Sequence, residues 1–377
     1  MPTNTAAWIN EQYGHLEVGP APYPTPGDDQ IVVRGHAVAV NPLDWVIQVA
    51  GPFAYRWLHY PTVLGSDVAG EVVEVGAAVI RFRVGDRVLG HAVGTDKDSN
   101  SAAEGTFQTY CVVLERMASP IPDQLSYERA AVLPLALSTA ACALFQTDQL
   151  GLRHPSAAPE PAGETVLVWG GSTSVGMNAV QLAVAAGYEV ITTASPRNHD
   201  LVRSLGAAQA LDHHSPTVVG DLIEALRGRT LAGAVAVGST STAACLQVVA
   251  ASTGRKFVSL LSTPVSFEGL GEADRPRFAL PRTMARLART TVAAQVSSRR
   301  AGIGTKFVFG TSLKANEVSA AIYRDFLPAA LAEGRYVAAP EPQVVGVGLE
   351  HLQEAMDVQR RGVSARKVVV SLPVTEG

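Results

Sequence analysis

The chain has 377 residues, 47% of them apolar, with a net charge of −4 and an isoelectric point near 6.1. That length carries about two to three domains, and the slightly acidic balance offers no basic surface, so nucleic acid is excluded as a partner. No stretch approaches the roughly 20 apolar residues that span a bilayer, Met1-Pro-Thr-Asn-Thr-Ala-Ala-Trp8 has no leader pattern, and Cys111, Cys142 and Cys245 are too scattered for a disulfide framework or a Cys-x-x-Cys metal site. The expectation is a reduced, cytoplasmic protein with no membrane contact.

Taken along the chain, residues 1 to about 120 carry short β-branched runs, at 31–40, 69–76 and 87–90, separated by Pro, Gly and Asp turns. This is the pattern of a compact β domain. At Ser126 the pattern turns helical, with Ser126 as N-cap of a helix over 127–133 and Pro134 interrupting or kinking the run. The proline-rich stretch 151–164 reads as a loop. From Thr165 to about Thr311, strands predicted at 165–169, 188–194, 208–211, 233–237, 255–260 and 306–310 alternate with helices, as in a parallel α/β sheet. Within 264–304, the basic run of Arg282, Arg286, Arg289, Arg299 and Arg300 reads by default as a solvated surface, with a helix face and a pocket lid as the other readings. Amphipathic helices over 318–331 and 349–358 and a closing strand over 367–371 complete the chain.

The richest local signal is Val166-Leu-Val-Trp-Gly-Gly-Ser-Thr-Ser-Val-Gly176, an apolar strand running through a glycine turn into a helical stretch over 177–186. Such a junction aims backbone N–H groups and the positive end of a helix at one spot, where a dinucleotide pyrophosphate can sit. Gly170, Gly171, Ser172, Thr173, Ser174, Val175 and Gly176 form the expected cradle. A plain βα turn is the alternative, because the spacing only approximates G-x-G-x-x-G. The next strand completes a βαβ unit and ends in Ala194-Ser195-Pro196-Arg197-Asn198, with no acid to hold a ribose 2′-hydroxyl. A small hydroxyl and a guanidinium suit a 2′-phosphate, so Ser195, Arg197 and Asn198 are read as cofactor-binding and the cofactor as NADPH. Ser195 as a helix N-cap beside a solvated Arg197 is the other reading.

Five motifs in order, Val40-Asn-Pro-Leu-Asp-Trp45, Leu64-Gly-Ser-Asp-Val-Ala-Gly70, Val84-Gly-Asp-Arg-Val88, Ala131-Val-Leu-Pro-Leu-Ala-Leu-Ser-Thr-Ala140 and the glycine turn, resemble the medium-chain dehydrogenase/reductase superfamily over nearly the whole chain. The branch they resemble is the zinc-independent quinone and enoyl reductases. Asn-Pro-Leu-Asp-Trp together with Gly-Gly-Ser-Thr-Ser and Ala-Ser-Pro-Arg-Asn-His-Asp is further similar to fungal trans-acting enoyl reductases of polyketide synthases. The resemblance implies an α/β fold: a GroES-like β-rich catalytic domain over 1–135, a doubly wound parallel Rossmann sheet binding NADPH over 136–311, and a return to the catalytic domain over 312–377. It implies reduction of an activated C=C bond in a small or carrier-bound acyl thioester, with a polyketide synthase as partner. Quinone or small-enone reduction is one alternative, and a non-redox isomerase or cyclase on the same fold is another.

No metal is expected, because Asn41 and Ser66-Asp67 stand where zinc-dependent relatives place a cysteine and a His-Glu pair, and a catalytic zinc needs about three Cys, His or carboxylate ligands. Without zinc, the natural hydride acceptor is a C=C conjugated to a thioester, ketone or quinone, whose enolate the protein must stabilise. The candidate catalytic residues are Thr139, Asn41, Asp44, Tyr55, His59 and His91. Thr139 matches the superfamily position near the nicotinamide amide, or else packs inside its helix and bonds its own backbone. Asn41 and Asp44 shape a loop at the site or serve only the turn that Asn41-Pro42 signals. His59 and His91 are near-neutral proton donors or structural histidines, and Tyr55 is a donor or an aromatic pocket wall. Val46 stands where related sequences carry a lysine directly after Asp-Trp, which leaves the proton source open between water and another residue.

Overall fold

The computed structural model describes residues 2–271 and 278–373. They form two compact units, one from 2–135 and 323–373 with a short piece at 270–271, the other from 136–269 and 278–322.

The first unit is built on a seven-stranded sheet in the order Glu341–Val347, Arg366–Ser371, Gln30–Ala39, Asp67–Val75, Arg87–His91, Ala118–Pro120, with Tyr110–Leu114 also paired to Gln30–Ala39. Every pairing except the first is antiparallel. The Gln30–Ala39 strand buries Ile31, Val32, Val33, Ala37, Val38 and Ala39. Runs of adjacent buried residues break strict alternation, and register shifts at Val32/Val33 and Gly35/Ala37 re-aim its side chains. A smaller sheet joins Leu16–Ala21, Asn4–Ile9 and Thr62–Val63.

The second unit is a parallel sheet in the order Gln209–Asp212, Glu189–Ala194, Thr165–Trp169, Thr230–Ala236, Phe257–Leu260, Gly304–Phe307. The short strand Thr253–Gly254 also pairs with Thr230–Ala236. Counted along the chain, the six main strands lie 3-2-1-4-5-6, the doubly wound order. The order reverses between Thr165–Trp169 and Thr230–Ala236, so the crevice beyond the carboxyl ends of these strands is where such a sheet takes a ligand. Thr165–Trp169 is buried at all five positions, as expected for a central parallel strand covered on both faces.

Several expected boundaries move. The strand expected at 306–310 is Gly304–Phe307, and Gly310 instead opens a 3₁₀ turn, Gly310–Ala315. The helix expected over 318–331 divides into a π-helical stretch, Ala320–Phe326, and an α-helix, Leu327–Ala332. Pro328 has no N–H to continue the ladder of the preceding turns, so it falls at the start of the second piece. Ser126 caps Tyr127–Ala131, its Oγ accepting from the Arg129 N–H at 3.3 Å, and Pro134 begins a new helix, Pro134–Phe145. Contrary to the expectation from the sequence, the run Tyr127–Phe145 is long and apolar enough by composition to cross a bilayer. Its apolar window is 78% buried inside the fold, as in a core helix. Of the basic stretch, residues 272–277 lie outside the described ones, and Ala279–Arg300 is a 22-residue helix. The three cysteines are free and buried, and burial pushes the thiols of Cys111 and Cys142 up to about 12 and raises that of Cys245 as well.

Candidate functional site

In the second unit the Thr165–Trp169 strand ends in a turn whose glycines are required by space. Gly170 has a φ of +84°, a conformation that favours glycine. A Cβ at Gly171 would lie 2.0 Å from Thr192 Oγ1, and one at Gly176 would lie 2.1 Å from the Gly170 carbonyl oxygen. Thr173 fastens the turn: its Oγ1 donates to the Gly170 carbonyl at 2.8 Å and accepts from the Gly176 N–H at 3.0 Å, capping the Ser174–Ala185 helix. Gly170 N–H donates to Thr193 Oγ1 at 3.0 Å and Gly171 N–H to the Thr193 carbonyl at 2.8 Å, which ties the turn to the Glu189–Ala194 strand. Among the described residues the N–H groups of Ser172, Ser174 and Val175 make no hydrogen bond. With the positive end of a 12-residue helix behind them, these donors fit a pyrophosphate.

At the end of the Glu189–Ala194 strand, Ser195 opens a 3₁₀ turn, Pro196–Asn198, without a capping hydrogen bond from its side chain. Its hydroxyl is therefore not serving as the N-cap. Arg197 is exposed, while Asn198 is buried and donates its N–H to the Ser195 carbonyl at 2.8 Å. The neighbouring strand brings Asp212 opposite Ala194 and turns away through His213 and His214, whose rings lie 3.8 Å apart. Thr139 belongs to the same unit. It is 9% exposed, and Gly310 packs against it so closely that a Cβ there would meet Thr139 Oγ1 at 2.6 Å.

In the first unit Asn41 caps the Pro42–Ala54 helix. Asp44 Oδ2 accepts from the Asn41 N–H at 2.7 Å and its Oδ1 from the Gly65 N–H at 3.2 Å, which pins the helix start to the loop before Asp67–Val75. Burial pushes the Asp44 carboxyl up to about 7, with the two amide donors opposing the rise. The Asn41 side chain serves a second group. Its Nδ2 donates to Asp67 Oδ2 at 2.9 Å, and its Oδ1 accepts from the Lys367 ammonium, which lies 2.9 Å from the same Asp67 oxygen. The Leu135 N–H donates to Asp67 Oδ1 at 2.6 Å. The Lys367 and Asp67 side chains are 5% and 0% exposed, so this is a buried ion pair with both carboxylate oxygens engaged.

His91 sits opposite Asp67 on the next strand, and burial pushes its imidazole down to about 4, leaving it neutral at pH 7. The structure thus gathers Asn41, Asp44 and His91 around Asp67 and Lys367. Tyr55 closes the Pro42–Ala54 helix with its ring 5.1 Å from that of Trp57, and burial raises its phenol. His59 is on the surface, its Nδ1 3.2 Å from Asn100 Nδ2, outside the cluster. Val46 is half-buried on the helix.

Lys367 is the member that reading the sequence missed. Its signal was the second cation of Arg366-Lys367, set directly before the run Val-Val-Val, three residues that are all buried. Its presence also answers whether a catalytic zinc fits here. Asn41, Ser66 and Asp67 offer one carboxylate, already held by an ammonium and two amides, and a dication beside a buried ammonium is repelled. Those three positions do not supply the ligand set of a catalytic zinc.

Residues 27–123 match the alcohol dehydrogenase GroES-like domain family. Over 374 residues, 99% of this chain and 100% of the relative, the sequence is 51% identical to the dehydrogenase pigH of Monascus ruber. Over 381 residues, 99% of this chain and 98% of the relative, it is 39% identical to the trans-enoyl reductase himH of Aspergillus japonicus. Among solved structures, an alcohol dehydrogenase superfamily protein from Novosphingobium aromaticivorans shares the fold with a TM-score of 0.73, at 24% identity over 98% of this chain and 100% of that one.

Proposed function

From the premise that this chain belongs to the medium-chain dehydrogenase/reductase superfamily and is enoyl-reductase-like, we propose that it is an NADPH-dependent, zinc-independent reductase of the activated C=C bond of an α,β-unsaturated polyketide thioester, working in the cytoplasm in secondary-metabolite biosynthesis. The observation that carries the reading is the Lys367–Asp67–Asn41 group. Asn41 and Asp67 stand where the resemblance puts the ligands of zinc-dependent relatives, which supports an acceptor that is already conjugated.

A bound nicotinamide supplies the hydride at its C4. The glycine turn would hold the pyrophosphate through the Ser172, Ser174 and Val175 N–H groups, and Ser195 and Arg197 would hold the 2′-phosphate, the strand itself ending without an acid at 194–198. Thr139, backed by Gly310, would orient the carboxamide. Asp44 is a positioning residue, since both its oxygens accept from backbone. Neither Val46 nor the neutral His91 is an acid at pH 7, and water delivers the proton to the α-carbon.

The test is turnover with C4-deuterated NADPH and an α,β-unsaturated acyl-pantetheine thioester. Deuterium at the product β-carbon is expected by mass spectrometry. Cofactor that binds without transferring label overturns the reading in favour of quinone reduction or non-redox chemistry.

A further inference from the structure

The helix Ala279–Arg300 takes no part in the site described above. Its inner side can be read from burial: Leu280, Met284, Leu287, Ala294 and Ser298 are half-buried or buried, and at about 100° per residue they share one face. The opposite side carries Arg282, Arg286, Arg289 and Arg300, all exposed, within an arc of about 60° and along about 27 Å of helix. Arg299 flanks them. Residues 279–300 contain no Asp or Glu, so a segment with five positive charges stands in a chain of net charge −4. Among the described residues, none of the five guanidiniums has an ion-pair partner. Arg282 and Arg286 are four apart and Arg286 and Arg289 three apart, spacings at which like charges destabilise a helix. A merely solvated face is usually interleaved with acids, which would relieve that repulsion.

We infer that this arginine stripe is the docking face for an acidic acyl carrier domain, the tethered form in which the thioester substrate arrives. The inference rests on the functional reading above. Opposite charge on the carrier relieves the like-charge spacing and steers the encounter, at a rate that falls with salt. An anionic membrane is the competing surface, but an interfacial helix must turn a broad apolar side outward beside its cations. Here Leu280, Met284 and Leu287 are half-buried on the opposite face. Val292 and Val296, with Phe278 at the helix start, are exposed along the edge of the stripe; they give a protein contact apolar points and are too few to anchor a helix in a bilayer.

The experiment uses the full chain and its triple variant Arg282→Glu/Arg286→Glu/Arg289→Glu. Two substrates are compared: a but-2-enoyl group on an acidic acyl carrier domain, and the same group on free pantetheine. The expected result is a KM for the carrier-bound substrate at least tenfold higher in the variant, and rising with salt in the parent, while KM and kcat for the pantetheine substrate stay within twofold. Equal effects on both substrates overturn the inference, as does a carrier KM indifferent to the variant. Binding of the parent, but not the variant, to phosphatidylserine vesicles in place of the carrier assigns the stripe to a membrane and also overturns it. If neither substrate is reduced, the functional reading fails, and carrier binding measured directly by fluorescence anisotropy, parent against variant, decides the docking face on its own.

Discussion

Asp44 and His91 share one buried neighbourhood and give stability opposite dependences on pH. Asp44 is held at about 7 against an ordinary 3.8, so it stabilises the fold fully below 3.8 and that contribution is lost as pH rises toward 7. His91 is held at about 4 against an ordinary 6.5, so its contribution is present above 6.5 and is lost as pH falls toward 4. Between about pH 4 and 6.5 the two slopes oppose. Asp44→Asn is expected to leave a stability that rises with pH across this window, and His91→Asn one that falls, read from urea midpoints; parallel slopes in the two variants would show that the groups are not the source. Lys367→Met strands a buried carboxylate and is expected to cost about 3–5 kcal/mol, most of it recovered when Asp67→Asn is added. Additive losses in the double variant would mean the ion pair is not coupled. Arg197→Glu is expected to weaken NADPH by about 1–3 kcal/mol more than NADH, and an equal loss for both cofactors, by titration of fluorescence, would remove Arg197 from the phosphate. The sequence points to Arg197 because the strand end is local. It hides Lys367 because Asn41, its partner, lies 326 residues away, and an Arg-Lys pair at a strand start ordinarily reads as solvated.

At the scale of elements, the βαβ turn is the most legible piece, since a strand, a glycine turn and a helix each announce themselves within a dozen residues. The reason for its glycines is not legible, because it lies in the approach of Gly176 to the Gly170 carbonyl and of Gly171 to Thr192. Gly176→Ala drives a Cβ to 2.1 Å from that oxygen and must displace the helix start. It is therefore expected to abolish dinucleotide binding by calorimetry, while Gly220→Ala, where nothing lies within 4 Å, leaves binding intact. Retained affinity in Gly176→Ala would mean the turn is not the cradle. The π-helical stretch Ala320–Phe326 escaped the sequence reading because the apolar spacing on either side of Pro328 fits one continuous helix.

At the scale of the molecule, the doubly wound sheet follows from six β-rich runs between helical ones, which periodicity detects, and the first unit's sheet does not, because it recruits Arg366–Ser371 from the far end of the chain against Gln30–Ala39. The Asn41, Ser66 and Asp67 positions do not supply a zinc ligand set, which gives a prediction for the proposed reaction. Exhaustive dialysis against a chelator is expected to leave both thermal stability and turnover unchanged, and recovery of lost activity by added zinc would contradict the proposal. NADPH at about 100 times its Kd is expected to add about 2.7 kcal/mol to stability.

The burial of Cys111, Cys142 and Cys245 has a toxicological side. An α,β-unsaturated thioester is a Michael electrophile, and a thiolate is the nucleophile it consumes first. A chain whose three thiols are enclosed and stay protonated offers such a compound nothing to alkylate at sulfur. On the proposed reading, the enzyme is spared alkylation at sulfur by its own substrate.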